Sequence, residues 1–255
     1  MPVFEDTERA DHAQLRLRLS PGGAEYRFPD GTVQVAPDLH VIGPTTGAMK
    51  VKAQGPVVCF GMGVTPVGWG ALIGNNAWTM TNRVVDAVEI MGPAVAEAAE
   101  KLKGLESPDA MREIAEAMIG KLLRSTGPDL AFIHTVDAWL ADTPSPTVSA
   151  LARATGVSAR QLERKCKSLY GAPPKVLARK YRALRTAVAL VSDGVSSADA
   201  IDRGFYDQSH LIREVKHFTG LTPGQMHANP NLLAQLTIAQ RHALGGRVKK
   251  IISHT

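Results

Sequence analysis

The chain has 255 residues, 44% of them hydrophobic, which is room for one large domain or two ordinary ones around a true core. No apolar run approaches the ~18 residues of a membrane span, and the acidic opening MPVFEDTERADHAQ lacks the basic-then-apolar layout of a signal peptide, so a cytoplasmic protein with no membrane partner is expected. The net charge of +5 is unevenly placed: residues 1–127 carry 12 Lys and Arg against 15 Asp and Glu, and residues 128–255 carry 17 against 9, which points to a polyanionic partner for the second half alone.

Up to about residue 92 the sequence reads as strand-like and turn-rich. AEYRF, TVQVAPDLHVIG and MKVKAQGPVVCFGMGV alternate apolar and polar positions, or run through β-branched residues, between Gly and Pro breaks. A helix is predicted from about Pro93 to Lys103. Another opens at Ser107-Pro108-Asp109, with Ser107 as N-cap and Pro108 in the first helical position, and runs to Leu123. RSTGPD (124–129) reads as a junction, and the text beyond it is helical.

The helical half contains an internal repeat. ALARATGVSARQLERKCKSLYGAPP (150–174) aligns with GFYDQSHLIREVKHFTGLTP (204–223) and the residues just before it. Ala152 and Gly156 match Ala200 and Gly204, and beyond a one-residue insertion Leu162 falls on Leu211, Arg164 on Arg213, Cys166 on Val215, Lys167 on Lys216, Gly171 on Gly220 and Pro174 on Pro223. Each copy has the parts of a helix-turn-helix. A small Ala allows close approach of the second helix, and a Gly able to take positive φ ends the first. Ser158 and Asp207 stand in equivalent N-cap slots, and Ser158-x-x-Gln161 is a capping box.

Each second helix then offers an apolar face to a small core, Leu211, Val215 and Phe218 in copy two, and a polar, basic face opposite. A major-groove reader needs short or polar side chains in its first turn, Arg for guanine and Lys for phosphate. The candidate DNA-binding residues are therefore Arg160, Gln161, Glu163, Arg164 and Lys167 in copy one, and Gln208, Ser209, His210, Ile212, Arg213 and Lys216 in copy two. Between the copies PPKVLARKYRALRTAVALVSDG (173–194) reads as a helix of about 18 residues, a rod of roughly 27 Å. It suits two readers entering adjacent major grooves about 34 Å apart. Arg179, Arg182 and Arg185 on this rod either touch the DNA backbone or pin the two modules together.

These motifs closely resemble the AraC/XylS-type bacterial transcription regulators. GFYDQSHLIREVKHFTGLTP is similar to that family's second helix-turn-helix signature, and GVSARQLERKCKSLYGAPPKVLARKYRALRTA to its first motif and linker helix, over roughly residues 130–228. The resemblance implies a seven-helix domain opening at DLAFIHTVDAWLAD, with the third and sixth helices as readers. Cys166, Val215 and the Met226-His227 ending depart from the usual aromatic residues. VIGPTTG and CFGMGVTPVGWGALIGNNAWTMTNRVVDAVEIMG also resemble one branch of the family, which carries a β-rich N-terminal module. By analogy that module senses a small-molecule effector or pairs two copies as a homodimer.

The expected fold is thus α+β in two domains: a β-rich regulatory module with closing helices at 1–125, an all-α bipartite helix-turn-helix domain at 126–229, and a tail at 230–255 that could pack, pair or stay open. Other signals are weak. GMGVTPVGWG has Pro66 where a nucleotide fingerprint needs its third Gly. His210 and His217 lack a partner set for metal. Trp69 and Trp78 read as core rather than as a cavity lining. Cys59 and Cys166 form no CxxC pair and read as reduced core residues. No cofactor, metal or enzymatic activity is expected. The alternative, an N-terminal half with enzymatic or DNA-repair chemistry, rests on Cys59 alone.

Overall fold

The structure is a computed structural model that describes residues 2–142, 145–192, 204–228, 232, 233 and 235. Eight strands form two four-stranded antiparallel sheets. They are β1 (Val3–Glu8), β2 (Ala13–Arg18), β3 (Ala24–Arg27), β4 (Val33–Ala36), β5 (Leu39–Ile42), β6 (Met49–Gln54), β7 (Cys59–Val64) and β8 (Val84–Asp86). The sheets run β1-β6-β3-β4 and β7-β2-β5-β8. In β6, MKVKAQ turns Met49, Val51 and Ala53 inward and Lys50, Lys52 and Gln54 outward, the period-two reading expected of a half-buried strand.

β2 is used on both faces. Ala13, Leu15 and Leu17 pack against helices with Val41, Val95, Ala98, Ala99, Leu102 and Met118. On the opposite face a polar chain links the two sheets. Arg16 bonds the Glu8 carboxylate at 2.6 Å and the Tyr26 hydroxyl at 3.1 Å. Tyr26 meets His40 Nε2 at 3.3 Å, and His40 Nδ1 lies 2.7 Å from the Pro37 carbonyl. Arg16, Tyr26 and His40 thus each have a partner in this chain, which is the condition for burying them at low cost. Burial pulls the His40 pKa down to about 4.

Not all of the region before residue 92 is strand. The unbroken apolar run at 66–73 folds into α1 (Pro66–Gly68) and a tight turn at Trp69–Ile73, Ala77–Met80 forms another turn, and Ala87–Met91 is α2. Side-chain caps at Thr65, Asn76 and Asp86 start three of these pieces, and they outweigh β-propensity where strict alternation is missing. α3 (Pro93–Leu102) and α4 (Pro108–Leu122) follow as expected, with Ser107 capping α4. Two expectations fail. Cys59 is exposed, because edge strand β7 turns Phe60, Met62 and Val64 inward and Cys59 the other way. Trp78 is 45% exposed rather than core. Trp69 and Cys166 are buried, the latter with its thiol pKa pushed up to about 12 by desolvation.

The described residues of the second half form helices: α5 (Leu130–Asp142), α6 (Val148–Thr155), α7 (Ala159–Tyr170), α8 (Pro174–Ser192), α9 (Gln208–Thr219) and α10 (Pro223–Ala228). Among the described residues, two separate cores share α8. One collects Phe132, Ile133, Val136, Leu151, Leu162, Cys166 and Leu177 from α5 to α8; the other collects Ala187, Leu190, Phe205, Leu211 and Val215. The first helix expected for copy two, with Ala200, and the tail beyond residue 228, except 232, 233 and 235, lie outside the described residues. Among the described residues, no helix is long and apolar enough to cross a membrane. The fold is a β-rich N-terminal part followed by a helical helix-turn-helix part.

His40 makes the N-terminal half sensitive to acid. Between the usual histidine pKa near 6.5 and its folded value of about 4, the unfolded chain binds a proton that the folded chain refuses. Stability held above that window is therefore lost as pH falls, by about 2 kcal/mol between pH 6.5 and roughly 4.5. Urea unfolding at the two pH values should show His40→Gln losing less than wild type; equal losses would refute this.

Candidate nucleic-acid interface

Both readers start from a side-chain cap and end on a glycine. α7 opens with a complete capping box: Ser158 Oγ accepts from Gln161 N, and Gln161 Oε1 accepts from Ser158 N at 3.1 Å. α9 opens with Asp207 Oδ1 accepting from His210 N at 2.6 Å, while His210 Nδ1 accepts from Tyr206 N at 3.1 Å. Gln161 and His210 occupy the same slot of the repeat, and both side chains bond to backbone at the helix start. This limits either as a reader of base edges. Gly171 and Gly220 close the helices at φ 71° and 83°, where a side chain would be strained.

The apolar stripes face inward as the pattern requires. Leu162, Cys166, Leu211, Val215 and Phe218 are fully buried. Opposite them, Arg160, Gln161, Glu163 and Arg164 of α7 and Gln208, Ser209, Arg213 and Lys216 of α9 are exposed. Arg160, Arg164, Arg213 and Lys216 appear in no ion pair among the described residues. Two placements differ from expectation. Ile212 is half-buried against the Phe205–Leu211–Val215 core, since it borders the apolar stripe. Lys167 is held at 2.6 Å by Glu163 and at 4.8 Å by the Trp78 ring, so its ammonium is already engaged. Trp78 and the fully protruding Tyr206, next to the α9 cap, are neighbours of the readers that periodicity did not single out.

The linker arginines pin modules. Arg179 forms a two-pronged pair with Glu214 of α9 at 2.9 and 2.7 Å. Arg185 donates to the Ala141 carbonyl at 2.8 Å and to that of Leu140, tying α8 to α5. Arg182 stacks on the Phe205 ring at 4.9 Å. Burial raises the Glu214 pKa, but Arg179 outweighs it and the net shift is downward. The equivalent slot in copy one is Lys165, which bonds Asp129 at 2.6 Å and sits over the Phe132 ring. His217 bonds the Thr46 carbonyl at 2.9 Å, and no group of three or more His, Cys, Asp or Glu among the described residues could hold a metal.

A family model described as a helix-turn-helix domain matches residues 151–229. α5 lies outside that match yet packs into the same core as α6 and α7. A sequence search among curated proteins returns no match. Among solved structures, ToxT from Vibrio cholerae shares 10% identity over 89% of this chain and 96% of its own, with a TM-score of 0.50. A second ToxT structure, bound to an unsaturated fatty acid, shares 12% identity over 88% and 93%, with a TM-score of 0.48. ToxT is an AraC-family regulator with a β-rich N-terminal domain. The domain match supports DNA binding by residues 151–229, and the likeness to ToxT shows the common two-domain fold.

The Arg179–Glu214 pair generates a stability test. Arg179→Met leaves a carboxylate only 9% exposed without its partner, and the half-exposed guanidinium keeps the expected cost to about 1–2 kcal/mol. Because the folded Glu214 pKa is depressed, the pair's contribution is present above the usual glutamate range and lost as pH falls through the folded value. Denaturant unfolding should therefore show the deficit shrinking in acid. It should also shrink in a Glu214→Gln background; a deficit indifferent to both would mean the pair is not what Arg179 supplies.

Proposed function

From the helix-turn-helix domain at residues 151–229, we propose that the chain is a sequence-specific transcription regulator of AraC type whose α7 and α9 read adjacent major grooves from one face of the duplex. One observation carries this reading. Two capped helices of the same repeat bury equivalent apolar residues and expose Arg164 and Arg213 in the same slot, at the two sides of a 19-residue helix about 28 Å long. Arg160, Arg164 and Arg213 suit guanine edges, Gln208 and Ser209 suit the first-turn contacts, and Lys216 suits a phosphate.

Control belongs to the N-terminal half, through a small-molecule effector or through pairing of two copies. An apolar cavity of about 20 Å³ lies between the second sheet and α3 and α4, lined by Leu15, Leu39, Phe60, Val95 and Met118. It has room for little more than a water, so an effector there would have to part the helices from the sheet. Catalysis forms no part of the proposal.

The test is selection of bound duplexes from a random DNA pool by the full chain. Arg164→Ala and Arg213→Ala should each relax preference at one or two base pairs, at positions about 10 base pairs apart, each costing on the order of 1–3 kcal/mol. Lys216→Ala should weaken all sequences alike and flatten the salt dependence by about one unit of slope. A footprint on a single groove, with Arg213→Ala silent, would reduce α9 to a brace.

A further inference from the structure

The two reader cores are separate, and α8 is the described element they share. The N-terminal half adds a second connection, at the C-terminal end of each reader. Thr81 Oγ1 donates to the carbonyl of Gly171, the glycine that ends α7, at 2.6 Å. At the end of α9 the backbone N–H of Ala48 donates to the His217 carbonyl at 2.8 Å, and that of Ala10 to the Phe218 carbonyl at 2.7 Å. Last-turn carbonyls have no acceptor role left within their own helix, so donors from the other half complete both ends. The fit is close. A Cβ on Gly171 would stand 2.8 Å from Pro44 and Thr81 side-chain atoms, and one on Gly220 would stand 2.3 Å from Thr7.

Between these grips the segment 43–48 crosses α8. Lys180 Nζ donates to the Thr45 carbonyl at 3.0 Å and to that of Asp11 at 2.7 Å. The segment is itself tied down. Asn82, at φ 55°, accepts from Thr46 N at 3.0 Å and donates to Thr46 Oγ1 at 2.8 Å, and Asn82 N donates to the Pro44 carbonyl at 3.1 Å. Asp11 N donates to Thr45 Oγ1 at 2.8 Å. One braced strap thus holds reader one, the linker and reader two.

We propose that this strap, residues 43–48 with Thr81 and Asn82, is a specificity-determining element: by holding the Gly171 carbonyl at the end of reader one, the His217 carbonyl near the end of reader two, and α8 between them, it sets the separation of the readers, and with it the half-site spacing the chain accepts. The inference rests on the DNA-reading function above. Its residues are positioning residues and touch no base.

Two variants loosen the strap without touching a reader face. Asn82→Gly keeps the positive φ and removes both side-chain bonds to Thr46. Gly47→Ala inserts a Cβ 2.8 Å from Pro29 and 3.0 Å from His217, between the strap and reader two. The duplex selected by wild type is rebuilt with its half-sites moved by about one to three base pairs, and binding of full-length protein is measured on each. Wild type should reject a one-base-pair shift about tenfold, and the variants should reject it less than about threefold, with affinity for a single half-site unchanged. An equal loss on every spacing, with the profile intact, overturns the inference.

A second readout needs no DNA. Spin labels at Arg160→Cys and Ser209→Cys, in a Cys59→Ser background, report the distance between readers. A narrow distribution that broadens or shifts in Asn82→Gly and Gly47→Ala supports the strap, and identical distributions overturn it alone. A wild type that selects no sequence overturns the DNA reading, and this inference with it.

Discussion

A buried ammonium decides how the two halves of this protein sit together. Lys180 lies in the middle of α8, is 4% exposed, and points away from its own domain into the N-terminal half. Two backbone carbonyls, those of Asp11 and Thr45, replace its water. Desolvation pulls its pKa down to about 8, against the opposing pull of the Asp11 carboxylate. A charge this deep is stable only in a position where those acceptors converge, so it fixes rotation and register of the linker helix at once. The surrounding cluster of Ala10, Ala183, Leu184 and Phe218 seals the site, and the Tyr181 hydroxyl meets His12 at 3.1 Å.

The repeat shows how one motif is anchored twice by different chemistry. Core positions are equivalent and apolar in both copies, because the close approach of a capped helix leaves no room for variety. The slot one residue past Arg164 and Arg213 is free of that constraint. It holds Lys165 in copy one, bonded to the start of α5, and Glu214 in copy two, bonded to α8. The N3 slot bonds back to backbone at the helix start in both copies, by an amide in Gln161 and an imidazole in His210. Each module is thereby held to a rigid neighbour while its outer face stays open.

The N-terminal half is stiff for a related reason. Its second sheet lies between the first sheet and α2–α4, so β2 must satisfy an apolar neighbour on one side and a polar chain on the other. Arg16, Tyr26 and His40 meet across the sheets with their bonds completed, which allows ionisable groups inside a small module. That stiffness is what lets a short segment such as 43–48 act on the helices it touches.

The sequence by itself determined the parts that depend on local chemistry. Periodicity, caps and the repeat placed α3, α4, α7 and α9, the Ser158 capping box and the Asp207 cap, and they separated buried Leu162 and Leu211 from exposed Arg164 and Arg213. These features follow from residues three or four apart on one helix, which a linear reading can see. Tertiary structure decided the rest. Ile212 and Lys167 share the spacing of open reader residues, yet one is drawn into the Phe205 core and the other is held by Trp78, 89 positions away in the chain. Cys59 reads as apolar but is exposed at the start of an edge strand, on the face opposite Phe60 and Met62. Residues 43–48 hold Lys180 through the Thr45 carbonyl and the His217 carbonyl through the Ala48 N–H, backbone groups that every sequence possesses and none advertises, so only the folded chain reveals the contact.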